Sequence, residues 1–168
     1  MNLHPLTPDQ LAQAATTSLH LQATAQDIHH KRPFVAILLA PDNTTVLLSS
    51  NSLSHVRHAE CELARNAADN FDAAYLADCT LVSTWEPCAM CAATIYWARI
   101  GRLVYLASEA LRTIVGPANP ENLTMTLDCR VVFAAGQTDT EVIGPVPEWE
   151  GRVVQDARRF WDSHRGPR

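Results

Sequence analysis

Two cysteines, Cys88 and Cys91, stand three residues apart behind Pro87 in the run EPCAMCAATIYWARIG. In a helix that begins there, both sulfurs project from one face of the first turn. The unpaired N–H groups and the positive end of the helix dipole favour thiolate over thiol at that position. Such a pair suits two ligands of one metal ion, a redox dithiol, or two small buried core cysteines.

A second segment, RHAECELARN, places His58 and Glu60 at the start of another helical pattern, thirty residues before Cys88. A neutral imidazole from His58 completes a three-ligand site and leaves the fourth position of zinc to water, the arrangement of catalytic rather than structural zinc. Zinc lowers the pKa of its water to about 7, and a carboxylate that is not a ligand can then move protons. Glu60 suits that task. Both ligand-bearing segments start helices, so their positive ends converge on the same negative charge. A structural site, by contrast, fills its fourth position and has no use for Glu60.

H-x-E followed by P-C-x-x-C is the signature of zinc deaminases, and His58-Ala59-Glu60 with Pro87-Cys88-Ala89-Met90-Cys91 satisfies it in order. The chain resembles the cytidine deaminase-like superfamily, and within it the branch of guanine, guanosine and tRNA adenosine deaminases. HAE, EPCAMCAATIYWARIGRLVY and their spacing carry the resemblance, which spans Phe34 to Ala107. The resemblance implies a three-layer α/β/α sandwich around a central five-stranded mixed sheet, with homodimers common. It implies hydroxide attack on an amidine carbon, proton transfer by Glu60 and release of ammonia. It also implies substrate contacts from Asn51, Ala59, Trp85, Glu86 and Trp161. For Asn51 a turn or capping role is an alternative, for Trp85 a place in the core, and for Trp161 with Phe160 plain packing of the last helix instead of a lid.

The elements that must position these residues can be read from periodicity. Thr7-Pro8 reads as an N-cap with proline at the first helical position, and Leu11, Ala14, Ser18, Leu21, Ala25 and Ile28 follow at helical spacing. FVAILLA and TTVLLSS around PDN read as an antiparallel hairpin whose first strand is buried on both faces. From His58 a helix carries Cys61, Ala64, Ala68 and Phe71 on one face and ends near Asn70. Cys79 to Thr84 reads as a strand into the cysteine motif; Gly101 stops the helix, and Arg102 to Ala107 is the next strand, a parallel crossover. VGPANPENLTMTLD reads as a loop, Glu141 to Ile143 as a last strand, and Pro147 opens a helix with Val153, Val154, Ala157, Phe160 and Trp161 on its buried face. The last residues, HRGPR, read as a frayed tail.

With 168 residues, 47% of them hydrophobic, and no linker that divides the chain, residues 1–168 are expected to form one deaminase domain. No apolar run approaches a membrane span and the first residues lack a secretory signal, so the expected location is the cytoplasm. Five cysteines, an odd number, argue against a full disulfide framework; Cys61, Cys79 and Cys129 are expected as buried thiols without chemistry. The net charge of −5 and the single lysine, Lys31, disfavour a polynucleotide partner. The expected function is therefore hydrolytic, zinc-dependent deamination of a free nucleobase or nucleoside, a guanine-like purine first. Cytosine, a pterin or a triazine stay open as substrates. The alternatives are deamination of the tRNA wobble adenosine and, in another class, a non-catalytic zinc-binding domain.

Overall fold

The computed structural model describes residues 2–112 and 124–163. The chain enters through α1 (Pro8–Asp27), whose start is a full capping box. Thr7 accepts from the Gln10 amide, and the Gln10 side chain reaches back to the Thr7 backbone. β1 (Val35–Leu39) and β2 (Val46–Asn51) form the expected antiparallel hairpin, and every residue of β1 is buried. α2 (Ala59–Asn70) and the short α3 (Ala73–Leu76) lead into β3 (Thr80–Trp85). α4 (Ala89–Trp97) crosses over to β4 (Arg102–Ala107), parallel to β3. The short helices α5 (Glu109–Arg112) and α6 (Cys129–Ala134) precede β5 (Glu141–Ile143) and α7 (Pro147–Ser163).

The five strands lie in the order β2-β1-β3-β4-β5, with β1 antiparallel to both neighbours and β3, β4 and β5 mutually parallel. Alternation along the strands feeds two cores. Val35, Ile37, Leu39, Val82 and Val104 meet α1 and α7 on one face, while Ala36, Leu38, Leu81 and Leu103 meet α2 and α4 on the other. This is the three-layer α/β/α arrangement expected of the sequence. β3 and β4 are buried along their whole length, as central parallel strands covered on both faces must be. Each fully buried leucine or valine there stabilises the fold by about 1.5–3 kcal/mol relative to exposure.

The structure corrects several details. Of the expected stripe on α1, Ala14, Ser18 and Ala25 are buried and Leu11 and Leu21 half-buried, but Ile28 lies beyond the end of the helix and is 67% exposed; Ala15, Leu19, Gln22 and Gln26 widen the buried face. On α2 Cys61 and Ala64 face inward as expected, together with Leu63 and Ala67, whereas Ala68 faces solvent. α3, α5 and α6, each of one or two turns, have no counterpart in the sequence reading. Of the expected loop Val115 to Asp128, residues 115–123 lie outside the described residues, as does the expected frayed tail, 164–168; residues 124–128 have neither helix nor strand. No helix among the described residues is long and apolar enough to cross a membrane.

Candidate active site

The parallel strands end where α2 and α4 begin, and the residues singled out for chemistry sit at those two helix starts. His58 is the N-cap of α2 and Cys88 the N-cap of α4, both with extended backbone, and neither side chain makes a capping hydrogen bond. Serine, threonine, aspartate or asparagine is the usual residue there. Here the imidazole and the thiol are left to face each other. Cys91 follows three residues into α4 and is fully buried.

Cys88 Sγ lies 3.6 Å from His58 Nδ1, Cys91 Sγ lies 3.5 Å from the same nitrogen, and the two sulfurs are 3.7 Å apart. Zinc–sulfur bonds of about 2.3 Å and zinc–nitrogen bonds of about 2.05 Å at tetrahedral angles give ligand edges of about 3.8 Å between sulfurs and about 3.6 Å between sulfur and nitrogen. The three edges in this chain match those of one face of a zinc tetrahedron. The donor set fits the metal in type and in spacing.

Glu60, in the first turn of α2, is 6% exposed. Its Oε1 accepts from Ser83 Oγ at 3.1 Å, and its Oε2 is 3.6 Å from Cys91 Sγ. It is not one of the three atoms that could share the cation. Burial raises its pKa, opposed by the nearby His58 and by the Ser83 hydroxyl. Among the sulfurs, the hydrogen bond from Cys91 is the largest influence holding Cys88 down to about 4, while the same bond and the one with Cys61 push Cys91 up.

The remaining candidates have defined places. Ala59, the first residue of α2, is fully buried in the core on that side of the sheet. Trp85 ends β3 and is buried with α1 and α7, and its indole Nε1 has no hydrogen-bond partner among the described residues. Trp161 is in the same core, edge-on to Phe160 and tilted against Phe34. Asn51 stands opposite Val35 in the ladder and lines a small cavity with Thr24, Ala25 and His29 on the α1 side; its amide donates to the Ser52 carbonyl at 3.4 Å. Glu86 accepts from the backbone N–H of Glu109 through Oε2 and of Cys129 through Oε1, so its carboxylate fastens both ends of the stretch from α5 to α6.

Two contacts were missed from the sequence. Ser83, the partner of Glu60, had only a shared signal: it is one of three small polar residues, with Thr80 and Thr84, in a strand that is buried along its whole length. Cys61, 3.6 Å from Cys91 Sγ, had none, because its neighbour comes from another helix. A second group of ligand-type atoms, from Glu86, Asp128 and Cys129, falls within 4.8 Å. There, Glu86 already serves backbone amides, and Asp128 caps α6 by accepting from Arg130 N.

Comparison with known proteins agrees with this geometry. The family described as the cytidine and deoxycytidylate deaminase zinc-binding region matches residues 8–107. The chain is 27% identical over 143 residues to a probable cytosine deaminase of Schizosaccharomyces pombe, covering 80% of this chain and 83% of that protein. It is 37% identical over 87 residues to a tRNA-specific adenosine deaminase of Haemophilus influenzae, covering 49% of this chain and 50% of that one. The structure of a guanine deaminase from Nitrosomonas europaea superposes with a TM-score of 0.67 at 19% identity, over 96% of this chain and 98% of the other, a likeness of fold. The chain belongs to the cytidine and deoxycytidylate deaminase family and is a zinc-dependent deaminase, a hydrolase of C–N bonds.

Proposed function

We propose that this chain hydrolytically deaminates a free nucleobase or nucleoside, a guanine-like purine first, with His58, Cys88 and Cys91 as the zinc ligands and Glu60 as the proton carrier. The observation that carries the reading is the separation of roles: three donor atoms at zinc spacing, and beside them a buried carboxylate that is held by Ser83 instead of joining them. Zinc bound there supplies hydroxide at neutral pH.

Glu60 accepts the proton that water gives up and passes it to the ring nitrogen, then takes the proton of the hydroxyl added to the carbon and passes that one to the departing amine, so that an exocyclic amino group and water become a carbonyl and ammonia. A carboxyl whose pKa is raised by burial is suited to hold a proton between those two transfers. The Ser83 hydroxyl keeps Oε1 in place and leaves Oε2 beside the Cys91 sulfur. Asn51, Ala59, Trp85 and Trp161 are the further candidates for holding the heterocycle, and Glu86 acts by anchoring Glu109 and Cys129 at the end of the neighbouring strand.

A small substrate is supported by the net charge of −5 and the single lysine, since a polynucleotide is drawn by phosphate-binding cations. Five unpaired cysteines suit a reducing compartment, in keeping with the cytoplasm, and the whole chain is taken as one domain. Pairing of two copies is part of the reading: α4 carries no charged residue, and its Trp97 is 76% exposed beside Tyr96, a face that water disfavours. The resemblance to a tRNA adenosine deaminase favours the second reading, a wobble adenosine flipped into the same site.

The test is ammonia release by the zinc-loaded protein from guanine, guanosine, cytosine, cytidine, adenine and adenosine, with Glu60→Ala as the blank. Turnover of guanine or guanosine that vanishes in the blank supports the proposal. Turnover confined to a tRNA anticodon stem-loop, bound in a salt-dependent manner, replaces it with the second reading. Equal activity in the blank overturns the role of Glu60.

A further inference from the structure

The two sulfurs read as zinc ligands do not have the same surroundings. Cys88 caps α4, where the free amides of the first turn surround its side chain. Cys91 lies inside the helix and is fully buried, so a donor to its sulfur must come from another element and cannot be water. Glu60 Oε2, 3.6 Å away, is an acceptor once ionised and offers such a sulfur no proton.

Cys61 fills that gap. It follows Glu60 on α2, is fully buried, and has its sulfur 3.6 Å from Cys91 Sγ. It also lies 3.3 Å from Thr94 Oγ1, and the Thr94 hydroxyl donates its own proton to the Met90 carbonyl at 2.8 Å. The Cys61 S–H therefore faces two acceptors, a hydroxyl oxygen and the sulfur of Cys91. When Cys91 holds a cation it is a thiolate, and a hydrogen bond to an ionic acceptor is roughly twice as strong as a neutral one.

We infer that Cys61 is a positioning residue of the metal centre, whose thiol donates a hydrogen bond to the Cys91 thiolate, fixes its orientation and withdraws charge from it. The inference rests on the reading of His58, Cys88 and Cys91 as ligands. A thiolate that gives less charge to the metal leaves the metal the stronger Lewis acid, opposite in sense to an outer partner that accepts a hydrogen bond from a ligand and raises its basicity. Of the three cysteines expected to lack chemistry, this one acquires a task.

The experiment loads the protein with cobalt(II) in place of zinc and reads the thiolate-to-cobalt charge-transfer band, together with metal affinity by competition with a chelator. In Cys61→Ala the sulfur lone pairs rise in energy, so the band moves to lower energy, and affinity falls about 10- to 100-fold. Cys61→Ser restores a donor and returns the band toward that of the unaltered protein. Thr94→Val, which removes the competing acceptor, moves it to higher energy and decides the matter if Cys61→Ala does not fold. A band unmoved in folded Cys61→Ala, or unmoved in Thr94→Val, overturns the inference, as does a Cys61→Ser protein that behaves like the alanine variant. Absence of any thiolate band in the unaltered, cobalt-loaded protein instead removes the ligand assignment beneath it.

Discussion

Replacing Glu60 by glutamine changes one carboxylate oxygen into an amide and leaves the volume almost unchanged. The remaining oxygen can keep the bond from Ser83 Oγ, now 3.1 Å, and the new N–H₂ stands where Oε2 lies 3.6 Å from Cys91 Sγ, a favourable partner for a thiolate. The three ligand atoms are untouched, so metal content should stay at the level of the unaltered protein. What disappears is the proton carrier, worth 10²–10⁴-fold in rate, or about 3–5 kcal/mol of barrier. Stability should change in the opposite sense. Burial raises the pKa of Glu60 above its ordinary 4.5, so its contribution to the metal-free fold is complete below 4.5 and is lost as pH rises through the folded value. The glutamine variant lacks that decline and should be the more stable metal-free protein at neutral pH. Ammonia release, metal analysis and urea unfolding across this pH range measure all three. Activity within about tenfold of the unaltered protein, with full metal, would refute the proton-transfer role; loss of the metal would mean that Glu60 is a ligand after all.

Chelation should lower the melting temperature, and zinc added at a thousand times its dissociation constant should return about 4 kcal/mol, or about 8–16 °C for a chain of 168 residues, in a calorimetric scan; Cys88→Ser should not respond. Glu86→Ala strips the acceptor from two backbone amides and should destabilise by about 2 kcal/mol in urea unfolding, with faster hydrogen exchange at Glu109 and Cys129 and no loss of metal. Arg102 is almost fully buried and bonds the His4 carbonyl, Asn43 Oδ1, Thr80 Oγ1 and Glu141. Arg102→Leu should therefore cost about 3 kcal/mol, whereas Glu141→Ala, at the half-exposed end of that pair, should cost less than about 1 kcal/mol in the same assay.

Residues whose chemistry constrains their type were legible without a fold. His58, Glu60, Cys88 and Cys91 could be singled out because the site proposed here calls for those types at helix starts; both helices do start there, and the structure brings the donor atoms of His58, Cys88 and Cys91 within 4.8 Å of one another. Local rules carried α1, through Thr7, Pro8 and Gln10, and the β3-α4-β4 crossover, through strand periods either side of Gly101. The same rules failed where no local pattern exists. α3, α5 and α6 are too short to show a period, and their caps, such as Asp72 and Asp128, are also ordinary loop residues. Ile28 continued the spacing of α1 past the point where the helix had ended, because helical spacing alone does not mark a C-terminus that lacks a glycine.

Glu86 and Cys61 mark a deeper boundary. Each lies beside a residue whose role the motif announces, and each takes its partners from far along the chain: Glu86 from residues 109 and 129, Cys61 from residues 91 and 94. A motif states which atoms meet the substrate or the metal, since those are fixed by the reaction. It does not state what holds those atoms, since any donor or acceptor that the packing of α2 against α4 brings near will serve. Cys61 could be serine or threonine without changing the motif, and its contacts with Cys91 and Thr94 across two helices distinguish it from Cys79, which is equally buried and whose sulfur, among the described residues, meets the Tyr75 carbonyl one turn behind. The inner layer of such a site is therefore readable from residue types, and the outer layer only from packing; comparing Cys61→Ala with Cys79→Ala in the cobalt-loaded protein separates the two, because burial is the same and only one of them should move the charge-transfer band.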